Sequence, residues 1–99
     1  MASVYGGNEM NNANTTRPAA SSRGRLYSAI ESTLGVPAGT VDEHSSPETI
    51  PSWDSLNHLN LVMAVESEFA ISLSPQDVVD MRNVGLIETI LREYGVDVE

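Results

Sequence analysis

The sequence predicts an all-α fold, a four-helix bundle with a long loop after helix one and a short third helix. Three observations support this prediction. Apolar residues recur at intervals of three and four along several segments, which is helical spacing. No segment alternates between apolar and polar residues over a useful length, as a half-buried strand would. Proline, glycine and capping residues separate the periodic segments.

Helix one is expected to begin at Arg25 and to stop at Gly35, which suits the left-handed position after a helix. Its apolar face would consist of Leu26, Ala29, Ile30 and Leu34. Residues 1–24 are rich in Asn, Ser, Thr, Gly and Ala and show no periodicity. We therefore expect a flexible leader over 1–24 and one folded domain over 25–99.

The segment 36–53 is too rich in proline and glycine for regular structure, yet it is long for a connection. Its scattered apolar residues indicate that it lies on the core: Val36, Val41, Ile50 and Trp53. Asp54 is then a good N-cap, and no glycine or proline follows before Phe69. Helix two, from Ser55, is therefore predicted to be the longest.

Two further helices are predicted from their start signals. Ser74-Pro75-Gln76-Asp77 combines a capping hydroxyl, proline at the first helical position and an acid at N3. This helix is expected to be short and to reach about Met81. Asn83 would cap the last helix, which Gly95 would stop. The apolar stripe of the last helix is predicted to contain Val84, Ile87, Leu91 and Tyr94.

The apolar residues of helix two form two stripes. One stripe contains Leu61, Val62, Val65 and Phe69, and the other contains Leu56, Leu59 and Met63. Glu66 falls beside the second stripe, and burial of an unpaired carboxylate is costly, so the first stripe is expected to face the core. The second would be an exposed apolar strip with an acidic border, which is typical of a docking surface. The alternative is that all seven residues are buried because helix two is central.

Charge and composition exclude several classes of function. Fourteen acidic residues against five basic ones give a formal charge of −9, which disfavours nucleic-acid binding and favours basic partner surfaces. Without cysteine there is no disulfide or thiolate metal site, and no other metal-ligand spacing is evident. No apolar run approaches the roughly 20 residues of a membrane span, and no signal peptide is evident. We expect a cytoplasmic monomer without a bound metal.

The motif Asp54-Ser55-Leu56 lies where the long loop turns into helix two, which places the Ser55 hydroxyl on the first helical turn. A phosphodiester there would meet unpaired backbone N–H groups and the positive end of the helix dipole. His58 lies one turn further on and suggests a hydrolase. However, no Gly-x-Ser-x-Gly elbow is present, and the domain is small. We expect that His58 flanks the core and that the protein is not an enzyme.

From Arg25 to Tyr94 the chain resembles the acyl carrier proteins. The resemblance is carried by Leu34-Gly35-Val36, the length of the following loop, Asp54-Ser55-Leu56, the run from Leu61 to Phe69, and Ile71-Ser72-Leu73-Ser74-Pro75. It implies a non-catalytic carrier. A phosphopantetheinyl transferase would use coenzyme A and magnesium to attach 4′-phosphopantetheine to Ser55, within the attachment motif that includes Asp54 and Leu56. The thiol of this arm would hold an acyl or similar group as a thioester.

The resemblance also implies how partners bind. Leu56, Leu59 and Met63 match the contact stripe of the family, and Glu66 and Trp53 are additional candidates. The partners would be acyl-loading, acyl-modifying or acyltransferase enzymes with basic docking surfaces. For Trp53 a loop anchor that packs on the core is the favoured role, and partner recognition is the alternative. Acyl chains in this family can fold back between the helices, so Val62 and Phe69 are expected to line a cargo cavity.

The chain departs from the carriers of bacterial fatty acid synthesis around the serine. Pro51-Ser52-Trp53 replaces the usual residues before the motif, and Asn57 and Asn60 replace two acids. These departures predict a specialised stand-alone carrier for a dedicated lipid, polyketide, peptide or acylated-sugar pathway. Two alternatives remain: a peptidyl or aminoacyl carrier, and an unmodified acidic helical adaptor with the same fold.

Overall fold

The computed structural model describes residues 21–98, and in this range it contains four α-helices and no strand. The helices are α1 (Ser22–Leu34), α2 (Ser55–Phe69), α3 (Pro75–Asp80) and α4 (Val84–Glu93). The predicted all-α fold, the long loop after the first helix and the short third helix are confirmed. Residues 1–20 of the expected leader lie outside the described residues. None of the four helices in residues 21–98 has the length and apolar character needed to cross a membrane.

Helix α1 begins at Ser22, three residues before the predicted start at Arg25. The hydroxyl of Ser21 accepts a hydrogen bond from the Gly24 N–H at 3.0 Å, which satisfies one of the free donors of the first turn. Residues 22–24 are therefore helical rather than part of a leader. The helix stops as predicted at Gly35, whose φ of 70° is a left-handed conformation that glycine adopts without strain.

The core lies between α1, α2, α4 and the long loop. Its buried apolar side chains are Leu26, Ile30, Leu34, Val41, Ile50, Trp53, Leu61, Val62, Val65, Met81, Val84, Ile87, Ile90, Leu91 and Val98. The loop 36–53 contributes three of them, so the prediction that it lies on the core is confirmed. Leu61, Val62 and Val65 confirm the predicted inner stripe of α2, and Phe69 packs on its edge.

Hydrogen bonds of two side chains, Glu31 and Ser52, hold the long loop against α1. The Glu31 carboxylate is 8% exposed and accepts the N–H groups of Gly39 at 2.9 Å and Val41 at 3.1 Å. Nearer to α2, the Ser52 hydroxyl donates to the Leu34 carbonyl at 2.7 Å. Because buried polar groups must be paired, these bonds fix the path of the chain just before α2 begins.

The last two helices are joined by a contact that differs from the prediction. Tyr94 was expected on the buried stripe of α4, but it is 39% exposed and its hydroxyl donates to the Asp77 carboxylate on α3. It follows the last residue of α4 as the C-cap, with Gly95 next at φ 87°. A phenol keeps its polar hydroxyl near water or a partner, which explains why it does not join the core. The Ser74 capping box that starts α3 is confirmed.

Candidate functional site

Ser55 is exposed at the first position of α2. The carboxylate of Asp54 accepts the Asn57 N–H at 2.9 Å, and the Asp54 N–H donates to the Ser52 carbonyl at 3.0 Å. Asp54 thus acts as the N-cap and fixes where the helix starts. Within residues 21–98, these bonds leave the N–H groups of Ser55 and Leu56 as the open donors of this helix end.

Trp53 precedes this motif and is 3% exposed. Its indole N–H donates to Nδ1 of His58 at 3.0 Å, and the two rings are stacked with their centroids 6.3 Å apart. This burial supports the interpretation of Trp53 as a loop anchor. It does not support the expectation that Trp53 contacts partners directly, because almost none of the side chain reaches the surface.

His58 is half-buried, as predicted, and both of its ring nitrogens are engaged. Because Nδ1 accepts from Trp53, a neutral imidazole carries its hydrogen on Nε2 and donates it to the Val78 carbonyl, 2.8 Å away on α3. Neither nitrogen is left to take a proton from Ser55. The histidine therefore links the loop, α2 and α3 instead of forming a catalytic pair.

The second stripe of α2 is exposed, as predicted: Leu56 by 69%, Leu59 by 56% and Met63 by 58%. The alternative that all seven apolar residues of the helix are buried is wrong. We call these three residues the exposed strip. On α3, Val79 is also 66% exposed, which the sequence analysis missed. Two consecutive valines on a six-residue helix point in different directions, and this pattern could have indicated one outward valine.

Glu66, the fifth candidate contact residue, is half-buried and already has a partner. Its carboxylate accepts the N–H of Leu73 at 2.8 Å, and its carbonyl accepts the N–H of Ile71 at 3.1 Å. Glu66 therefore holds the connection between α2 and α3. The carboxylate stays beside the exposed strip, but one of its oxygens is already used within the chain.

The two asparagines that replace the expected acids are used as donors. Asn57 donates from its side-chain amide to the Ser52 carbonyl at 2.8 Å, and Asn60 donates to the Asn57 side-chain oxygen at 3.1 Å. An aspartate at 57 would place an acceptor against the carbonyl. Ser52, before the motif, and Asn57 and Asn60, after it, are thus joined in one hydrogen-bonded chain.

A groove of about 490 Å³ opens beside Ser55. It is lined by Pro47, Trp53, Asp54, Ser55, His58 and Leu59. Val62 and Phe69, which were expected to line a cargo cavity, do not line this groove. Val62 belongs to the core, and the ring of Phe69 faces the Arg25 guanidinium at 4.9 Å from its centroid.

These residues fit a phosphopantetheine group. A phosphate ester on the exposed Ser55 would lie next to two open backbone donors and the positive end of a 15-residue helix. The groove beside it has the volume of a small-molecule site, typically about 300–1,000 Å³. The candidate site thus combines an accessible hydroxyl, an anion-favouring helix end and room for an organic chain.

No protein-family profile matches the chain. An acyl carrier protein from Chlamydia caviae is 37% identical over 67 residues, which are 68% of this chain and 87% of that protein. A solved structure from Mycobacterium tuberculosis, described as an acyl carrier protein, has a TM-score of 0.62 at 23% identity and covers 70% of this chain and 92% of its own. The holo acyl carrier protein from Geobacter metallireducens has a TM-score of 0.57 at 20% identity, with coverages of 75% and 91%. The two structures show the shared fold, and the sequence relative shows that this chain belongs to the acyl carrier protein family.

Proposed function

We propose that this carrier holds an acyl or related intermediate as a thioester on a 4′-phosphopantetheine arm attached to the Ser55 hydroxyl. The observation that carries the proposal is the position of Ser55: exposed, first in α2, and directly after the Asp54 cap. Acyl carrier proteins are carriers rather than enzymes, which agrees with the engaged nitrogens of His58.

Each residue of the motif has a distinct task in this proposal. Ser55 offers its hydroxyl to a phosphopantetheinyl transferase, which uses coenzyme A and magnesium. Asp54 fixes the start of the helix through the Asn57 N–H, so the hydroxyl is held at a defined place. The open N–H groups of Ser55 and Leu56 favour the phosphate. When bound, the arm supplies the terminal thiol that holds the cargo.

The exposed strip is the proposed docking surface for partner enzymes. Its three side chains lie on the helix that begins at the attachment serine, so a partner bound there would lie close to the arm. An apolar centre on an acidic protein favours acyl-loading, acyl-modifying or acyltransferase enzymes with basic surfaces around the contact. We propose that the chain acts as a cytoplasmic monomer.

A specialised biosynthetic pathway is supported by Asn57 and Asn60. The Asn57 amide braces the segment before α2 and the Asn60 amide supports Asn57, so the neutral side chains are part of this local structure and weaken acidic recognition near Ser55. Partners should therefore differ from those of carriers that have acids there. A peptidyl or aminoacyl carrier would use the same attachment site, and loading assays with amino acids distinguish it.

Intact mass spectrometry tests the proposal. The full chain is incubated with coenzyme A, magnesium and a broad-specificity transferase, and we expect a gain of one phosphopantetheine. Ser55→Ala should abolish the gain, whereas Ser67→Ala, an exposed serine on the same helix, should leave it unchanged. No gain in the wild type, or a gain that persists in Ser55→Ala, would favour the unmodified adaptor instead.

A further inference from the structure

The groove beside Ser55 offers an apolar surface at the attachment point. Pro47 comes from the long loop, Leu59 from the second turn of α2, and Trp53 from the segment between them. Leu59 is 56% exposed, whereas Trp53 is 3% exposed and lies at the base of the groove. The walls therefore combine one exposed aliphatic side chain with the rings of Pro47 and Trp53.

The polar groups of Trp53 and His58, and one carboxylate oxygen of Asp54, are already used within the protein. The indole N–H of Trp53 and both nitrogens of His58 are used in the bonds to each other and to Val78. The carboxylate of Asp54 accepts the Asn57 N–H. A ligand in the groove would therefore meet mainly apolar surface, and amide or hydroxyl groups would gain few hydrogen bonds there.

We infer that this groove holds the part of the phosphopantetheine arm that carries two methyl groups on one carbon. This inference rests on the proposed attachment at Ser55. In the arm, the dimethyl carbon is one methylene from the phosphate ester, whereas the amides and the thiol lie further out. An apolar groove that begins at Ser55 matches the apolar unit that lies next to the phosphate.

This placement couples the arm to partner binding through one residue. Leu59 is part of the groove and also part of the exposed strip. A partner that covers Leu59 would compete with the dimethyl unit for the same side chain. Docking would then release the arm toward the partner, and in the free carrier the thiol end alone would extend from the surface.

Nuclear Overhauser contacts test the inference in the full chain. The holo protein is prepared from coenzyme A with ¹³C-labelled geminal methyl groups, and attachment is verified by intact mass. We expect cross-peaks from these methyl groups to Trp53 and Leu59, and a shift of the Trp53 indole resonance between apo and holo protein. Trp53 is the single tryptophan, so its resonance and its fluorescence emission are unambiguous.

Two variants of similar exposure provide the comparison. Leu59→Ser should remove the cross-peaks to Trp53, whereas Met63→Ser, on the same helix but outside the groove, should retain them. Three results would overturn the inference and leave the proposed function intact, provided that the arm is attached. These are the absence of cross-peaks to the groove, cross-peaks to Val62 or Phe69 instead, and cross-peaks that Leu59→Ser does not change. Failure of attachment would overturn both the inference and the proposed function, and the mass measurement separates this case.

Discussion

The indole N–H of Trp53 donates to Nδ1 of His58 at 3.0 Å, in the groove beside Ser55, the proposed attachment residue. It determines which nitrogen of His58 carries hydrogen, and so directs the second bond to the Val78 carbonyl at 2.8 Å. Three parts of the chain thereby meet beside Ser55: the end of the long loop, the first turn of α2, and α3. The short helix α3 has no fully buried residue, so it is held by the His58 bond, by the bond between Tyr94 and Asp77, and by the packing of Val78 on the core.

His58→Ala should destabilise the fold. The substitution leaves the buried Trp53 donor and the Val78 carbonyl without partners, and each unsatisfied group costs about 1–3 kcal/mol. We expect the free energy of unfolding in urea to fall by roughly 2–4 kcal/mol, after partial relief by water. His44→Ala is the control, because His44 is exposed and should change stability by less than about 0.5 kcal/mol. Equal stability of the two variants would show that the bonds of His58 to Trp53 and Val78 contribute little.

Asn57→Asp should also destabilise the protein, although an acid in the first turn normally stabilises a helix. The helix dipole would contribute about 0.3–1 kcal/mol, whereas loss of the bond to Ser52 and the resulting contact between two acceptors cost about 1–3 kcal/mol. Asn60→Asp should cost less, since its amide donates to another side chain. Urea denaturation of both variants measures the difference. A stabilised Asn57→Asp protein would mean that the asparagine does not brace the preceding segment.

Local signals in the sequence predicted the parts of the fold that depend on neighbouring residues. The caps Ser74 and Asn83 each act on a backbone N–H three residues later, so their effect is visible in the sequence itself. The inner face of α2 was also predictable, because helical spacing separates charged from uncharged sides. The position of Ser55 at a helix start follows from the same rules.

Contacts between distant residues could not be predicted in this way. The bond from His58 to Val78 joins positions 20 residues apart, and the bond from Tyr94 to Asp77 joins positions 17 apart. Each depends on how the helices pack, which is decided by the whole core. Trp53 shows both sides: its apolar character indicated a place on the core, and its burial confirms this, whereas its bond to His58 could not be predicted from the sequence.

Ala70→Gly should stabilise the protein. Ala70 ends α2 in the left-handed region with φ 55°, and it is the one non-glycine residue with positive φ in residues 21–98. This conformation costs alanine about 1–2 kcal/mol, and glycine gives back about 0.5–1 kcal/mol through its freer unfolded state. We expect a net gain of roughly 0.5–1 kcal/mol, measured by thermal or urea unfolding. Ala64→Gly, inside the same helix, should instead lose about 1 kcal/mol. The same sign for both variants would contradict the assigned conformation.

The bond between Tyr94 and Asp77 predicts that the fold loses stability both at low pH and at high pH. The hydrogen bond from Tyr94 lowers the pKa of Asp77 below its ordinary 3.8, and the hydrogen bond to Asp77 raises the pKa of Tyr94 above its ordinary 10.0. A lowered carboxyl pKa stabilises the fold above 3.8, and this effect is lost as pH falls through the folded value. A raised phenol pKa stabilises it below 10.0, and this effect is lost as pH rises through the folded value.

The variant Tyr94→Phe, which lacks this hydrogen bond, tests the loss of stability at both ends of the pH range. The difference in melting temperature between wild type and variant should be constant from about pH 5 to 9 and should shrink beyond either end. The bond lies at the surface, so added salt should reduce the difference. A difference that does not change with pH would mean that the phenol acts through packing rather than through its hydrogen bond.

Met63→Glu separates docking from folding. Met63 is 58% exposed and is the last residue of the exposed strip along α2, so the substitution should change the free energy of unfolding by less than about 0.5 kcal/mol. Transfer to a partner should suffer more, because a carboxylate placed in an apolar contact must be desolvated without a partner. We expect kcat/KM of phosphopantetheine transfer to fall by about tenfold, which corresponds to roughly 1.4 kcal/mol. Val65→Glu is the opposite control: Val65 is fully buried and this variant should unfold. A Met63→Glu protein that loses stability as Val65→Glu does, or that keeps full transfer, would show that the exposed strip is not a docking surface.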